Sequence, residues 1–95
     1  MNKLVLFHSS GCLPCEEWMK LIPLFEEQNF NIEKVSIDTE RGFNHAKRYR
    51  IFSTPTVLFV KQDIIVGMLG GYGMEATLEQ NFQLFMDKAK DAFQL

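Results

Sequence analysis

The sequence predicts an α/β fold in the order β-α-β-α-β-β-α, a four-stranded mixed sheet with three helices distributed over its two faces. Three observations carry this expectation. The continuous apolar run Leu4-Val5-Leu6-Phe7 leads into a helical pattern, two β-prone stretches are joined only by Gln62-Asp63, and the C-terminal residues place their apolar positions on one helical face.

Leu4 to Phe7 does not alternate, which is the pattern of a strand buried on both faces, and His8-Ser9-Ser10-Gly11 closes it as a loop. From Leu13 to Gln28 the residues Trp18, Leu21, Ile22 and Phe25 recur at helical spacing, while Glu16, Glu17, Lys20, Glu26 and Glu27 take polar positions. Pro14 suits the first turn of that helix, where a missing N–H costs nothing; Pro23 lies inside it and predicts a kink. Ile32, Val35 and Ile37 favour a second strand over 32–38, after which Asp38 or Thr39 can cap a short helix over 41–50. Ser53-Thr54-Pro55 is turn-like, and the runs 56–61 and 64–69 predict a β-hairpin. Gly70-Gly71-Tyr72-Gly73 interrupts the pattern before a closing helix that aligns Leu78, Phe82, Phe85, Met86, Ala89 and Phe93. The first crossover is a βαβ unit, so its strands are parallel and its hand is right.

Residues 1–95, 46% of them apolar and without a linker-like stretch, are expected to form a single domain. Nine phenylalanines and one tryptophan supply enough apolar area for a core without metals or structural disulfides, which frees the two cysteines for function. A net charge of −2 and a pI near 5.6 argue against a nucleic-acid footprint, and the short basic run Lys47-Arg48-Tyr49-Arg50 reads as a solvated helix end. The run Leu4–Phe7 is too short for a signal core or a membrane span, so a cytoplasmic, reducing location is expected. In that setting two cysteines three apart are redox-active or metal-binding rather than a staple.

Cys12 and Cys15 fall where the first loop becomes a helix. Unpaired N–H groups and the positive end of the helix dipole favour a thiolate at Cys12, the reactive form of the thiol. The i, i+3 spacing brings the second sulfur close enough to resolve a mixed disulfide formed by the first. Half of a zinc site has the same spacing, but the other imidazole ligands on offer are His8 and His45, with no second cysteine pair; no metal and no bound cofactor are expected. A purely structural bridge closing so short a loop would restrict the unfolded chain little.

A strand, a Cys12-Leu13-Pro14-Cys15 motif opening a helix, and a later Thr54-Pro55 heading a hairpin together resemble the thioredoxin family, over nearly the whole chain. The resemblance implies strand order 2-1-3-4, a cis Thr54–Pro55 bond beside the cysteines, and a Thr54 backbone that pairs with an extended substrate segment. It also implies a buried lysine near the active site at Lys34 and a glycine leaving room for substrate at Gly71, with Gly70 serving equally. An exposed strand lysine is the competing reading of Lys34.

The departures are informative. Thioredoxins typically carry Trp-Cys-Gly-Pro-Cys, whereas this chain has Gly11 before the first cysteine and Leu13 after it; Leu13 is either an apolar substrate patch or an ordinary residue covering the loop. The buried aspartate of the family's first strand aligns with Leu6, so solvent, Glu16 or Lys34 must take the proton from Cys15. A protonated His8 could stabilise the Cys12 thiolate, although a loop histidine bonded to backbone is the favoured reading. Glu16 and Glu17 oppose the thiolate while complementing the helix dipole. The chain starts directly with its central strand, as glutaredoxins do, but lacks their Cys-Pro-Tyr-Cys motif and a clear set of basic residues for glutathione.

The function expected is dithiol–disulfide exchange on protein disulfides by a monomeric reductant, with Leu13, Phe52, Pro55 and Tyr72 offering an apolar surface to extended polypeptide. Its partners would be disulfide-containing proteins and an external reductant such as a thioredoxin reductase or a low-molecular-weight thiol, with neither nucleic acid nor membrane involved. A binding module without turnover and a glutathione-dependent glutaredoxin-like enzyme are the alternatives.

Overall fold

In the computed structural model, which describes residues 2–95, the first strand owes its central place to a sequence without polar interruption. β1 (Asn2–His8) pairs in parallel with β2 (Asn31–Ser36) and antiparallel with β3 (Thr56–Lys61), and β4 (Ile64–Gly70) completes the sheet in the order β2-β1-β3-β4. Side chains of successive strand residues point to opposite faces, so Leu4 and Leu6 enter one core while Val5 and Phe7 enter the other. The larger core is aromatic, with Trp18 stacked on Phe25 and meeting Phe85 edge-on. The buried Trp18 N–H has no hydrogen-bond partner among the described residues, so the ring contacts alone orient the indole. The smaller core gathers Ala46, Ile51 and Leu58 beneath α3 (Glu40–Arg48).

The first predicted helix is split. α1 (Leu13–Met19) and α2 (Ile22–Glu27) replace one kinked helix over 13–28, and Pro23 sits in the first turn of α2 rather than inside a continuous helix. The reason is local: Pro23 has no N–H to donate and its ring would clash with the carbonyl of Met19, so α1 ends there. Lys20 and Leu21 instead donate to Glu17 and Trp18 at 3.2 and 2.9 Å, three residues back. This tighter turn keeps Trp18, Leu21 and Phe25 buried in one core across the break.

β2 ends at Ser36, two residues short of the predicted strand, because the chain turns there into a cap. The Thr39 hydroxyl accepts from the Gly42 N–H at 2.9 Å and donates to the Ser36 carbonyl at 3.0 Å, which starts α3 at Glu40. Gln62 and Asp63, at φ 50° and 67°, form the two-residue hairpin turn, and a bulge at Phe59/Val60 shifts the register of β4. α4 (Leu78–Phe93) buries Asn81 together with Phe85, Met86, Ala89 and Phe93, whereas Leu78 and Phe82 are only half-buried. Asn81 is satisfied by Gly73 N–H, Gly73 C=O and Thr77 C=O at 2.9, 2.9 and 3.0 Å, which ties the loop after β4 to the helix. Among the described residues no helix is long and apolar enough to cross a membrane.

Candidate active site

The loop leaving β1 must turn sharply to feed a helix. Gly11 makes the turn at φ 67°, and the Ser10 N–H donates to the Asp38 carboxylate at 2.6 Å, fastening the loop to the end of β2. Cys12 is the N-cap of α1: its backbone is extended, and its Sγ accepts from the Cys15 N–H at 3.1 Å. Leu13 and Pro14 fill the first two helical positions. Cys12 and Cys15 form a disulfide, with their Cα atoms 5.2 Å apart. The two residues are not equivalent to solvent, since Cys12 is half-buried and Cys15 is only 1% exposed.

The segment before β3 faces this pair. The Thr54–Pro55 peptide bond is cis, and the Thr54 carbonyl and hydroxyl oxygens lie 3.7 and 3.8 Å from Cys12 Sγ. The Thr54 hydroxyl also meets the Ser9 hydroxyl at 2.7 Å. The Pro55 carbonyl accepts from the Gly71 N–H at 2.8 Å, which draws the Gly70-Gly71 stretch alongside. Gly71 has φ 88°, and a Cβ built on it would project into open space, whereas one on Gly70 would touch the Thr56 hydroxyl oxygen. Leu13 and Phe52 are 57% and 82% exposed. Pro55, expected in the apolar surface with them, is instead fully buried, because the turn into β3 presses its ring into the molecule; Tyr72 is half-buried.

The structure brings Cys12, Leu13, Pro14, Cys15, Thr54, Pro55, Gly70 and Gly71 to one end of the sheet. Lys34 does not take the buried place that the resemblance implied. It lies on β2, an edge strand, opposite Leu6 of β1, and its side chain is exposed. Leu6 is fully buried. His8 ends β1 half-buried, and burial first, then the positive charge of Lys34, lower its pKa against a smaller opposing pull from Asp38. Burial and Lys34 thus favour the neutral imidazole while the two cysteines are joined. Among the described residues no group of three or more His, Cys, Asp and Glu side chains could hold a metal ion. Sequence reasoning missed Ser9 and the anchoring role of Asp38, both of which depend on contacts between distant segments.

No protein-family model matches the chain. Over 87 residues it is 32% identical to a thioredoxin-like protein of Synechocystis sp., covering 87% of this chain and 80% of that protein. The chain belongs to the thioredoxin-like family. Solved thioredoxins share its architecture: that of Fasciola hepatica superposes with a TM-score of 0.73 at 22% identity, over 96% of this chain and 80% of that one. Thioredoxin O2 of Arabidopsis thaliana in its oxidised state gives 0.72 at 18% identity, over 93% and 74%. A thioredoxin of Thermus thermophilus gives 0.70 at 28%, over 95% and 72%. The fold and the paired cysteines of this thioredoxin-like protein are those of a thiol–disulfide oxidoreductase in general.

In this thioredoxin-like protein the lowered pKa of His8 has a measurable consequence. A lowered folded pKa means that the unfolded chain binds more protons just below about pH 6.5, so stability is lost as pH falls from there through the folded value. The urea midpoint should therefore drop between pH 7 and pH 5, and the drop should be smaller in His8→Gln. Equal drops in both proteins would remove His8 from the account.

Proposed function

We propose that the protein is a dithiol reductant of protein disulfides, with Cys12 as attacking and Cys15 as resolving thiol. The observation that carries the reading is the asymmetry of the pair: a partly exposed N-cap cysteine beside a cis-proline turn, joined to a nearly inaccessible one. The Cys12 thiolate attacks a substrate disulfide, forming a Cys12–substrate S–S bond and expelling one substrate thiolate. The Cys15 thiolate then attacks Cys12 Sγ, forms the intramolecular disulfide and expels the second substrate thiolate. Two electrons pass to the substrate, whose sulfurs take up two protons, and an external reductant such as a thioredoxin reductase or a low-molecular-weight thiol restores the dithiol. No bound cofactor enters these steps.

Thr54 precedes the first paired residue of β3, Thr56, so its backbone is suited to an extended substrate segment, with Leu13 and Phe52 offering apolar contact and Gly71 open space. A reducing compartment such as the cytoplasm suits the recycling step, and the protein works as a monomer. Replacing Cys15 with serine tests the reading. Mixed disulfides with protein substrates should accumulate and turnover should stop; retained reduction of a glutathione mixed disulfide would instead mark a glutaredoxin-like enzyme, and partner binding without any mixed disulfide a binding module.

A further inference from the structure

We infer that Ser9 is a positioning residue for the chemistry at Cys12, its hydroxyl turning the Thr54 hydroxyl toward the Cys12 thiolate. This rests on the proposed reading of Cys12 as the nucleophile. Ser9 Oγ lies 2.7 Å from Thr54 Oγ1, and Thr54 Oγ1 lies 3.8 Å from Cys12 Sγ. Each hydroxyl has one proton to donate and lone pairs with which to accept. A thiolate only accepts, so once Cys12 is reduced and ionised the Thr54 proton is drawn to the sulfur. The Thr54 oxygen is then left to accept from Ser9, and the chain Ser9 O–H to Thr54 O–H to Sγ runs in one direction, each bond polarising the next.

The same sulfur already accepts from the Cys15 N–H at 3.1 Å, so the hydroxyl adds a second donor to the charged form. Ser9 and Thr54 are both half-buried, which limits competition from water. Ser9 itself needs no contact with the sulfur or the substrate. The titratable groups on the elements that meet this loop are Lys3 and His8 on β1, Glu33 and Lys34 on β2, Asp38 beyond it, Lys61 on β3, Cys15, Glu16 and Glu17 on α1, and Tyr72 after β4. All of them are unchanged in the variants that follow.

The experiment is the pH dependence of iodoacetamide alkylation at Cys12 in the reduced protein, comparing wild type, Ser9→Ala, Ser9→Thr, Thr54→Val and the Ser9→Ala/Thr54→Val double variant. Ser9→Ala should move the profile to higher pH, leaving roughly threefold to tenfold less thiolate well below the pKa. Ser9→Thr should restore the wild-type profile, and Ser9→Ala should add nothing once Thr54 is valine. An unmoved profile in Ser9→Ala, or an equal shift in the valine background, would overturn the inference.

Alkylation needs no protein substrate, so the two claims separate. A profile shift in a protein that turns over no disulfide supports the role of Ser9 while the reductant reading fails. Cys12-dependent turnover with an unmoved profile sinks the role of Ser9 alone.

Discussion

Reduced protein given limiting iodoacetamide is expected to take the label at Cys12 roughly 100-fold faster than at Cys15. Two effects act together. Cys12 sits at the N-cap of α1, where it accepts the Cys15 N–H and feels the positive end of the helix, so its thiolate is favoured at a pH where an ordinary thiol is protonated. Cys15 lies within the first turn and is only 1% exposed, so burial disfavours its charged form and blocks the reagent. Peptide mapping of the labelled protein measures the ratio. Equal labelling would contradict the assigned roles, and preference for Cys15 would reverse them.

The largest stability effect is expected at a glycine outside the motif. A Cβ on Gly42, in the first turn of α3, would run into the Ser36 carbonyl oxygen and come within 2.7 Å of the Ser36 carbonyl carbon and 2.9 Å of the Thr39 hydroxyl. Helix propensity alone would make Gly42→Ala stabilising by about 1 kcal/mol. The obstruction is backbone, which cannot swing aside as a side chain can, so the variant should instead lose about 3 kcal/mol, read from urea denaturation. The damage should also reach the site, because Ser36 leads directly to Asp38, which holds the Ser10 N–H of the cysteine loop. A Gly42→Ala protein as stable as wild type would show that α3 can shift off the end of β2 at little cost.

Much of this fold is local and therefore legible. Leu4 to Phe7 marks a central strand by having no polar residue, and Gln62-Asp63 leaves room only for a tight turn between two β-prone runs. The split at Lys20–Leu21 was harder to read, because the tightened turn preserves the apolar face and leaves Pro23 as the sole signal of a break. Lys34 was left between a buried and an exposed reading because a residue's place along a strand does not say whether that strand is an edge; the adjacent polar pair Glu33-Lys34 favoured the exposed one, which the structure shows. Asn81 did have a signal, since it continues the Phe85, Ala89, Phe93 stripe one turn toward the N-terminus, as a buried polar residue does when it has backbone partners.

The site divides along the same line. Cys12, Cys15 and Pro14 announce themselves by spacing at a loop-to-helix junction. The hydroxyl pair of Ser9 and Thr54 joins residues 45 apart and becomes visible only when β1 and β3 are placed side by side. The burial of Pro55 is equally a property of that pairing, which turns the ring inward as the chain enters β3.

The most direct test of the central claim is insulin disulfide reduction with dithiothreitol as electron source, comparing wild type with Cys12→Ser. Wild-type turnover above the dithiothreitol background, falling to that background in the variant, is the predicted result; equal rates in the two proteins would contradict the assignment of Cys12 as the nucleophile of a protein-disulfide reductant.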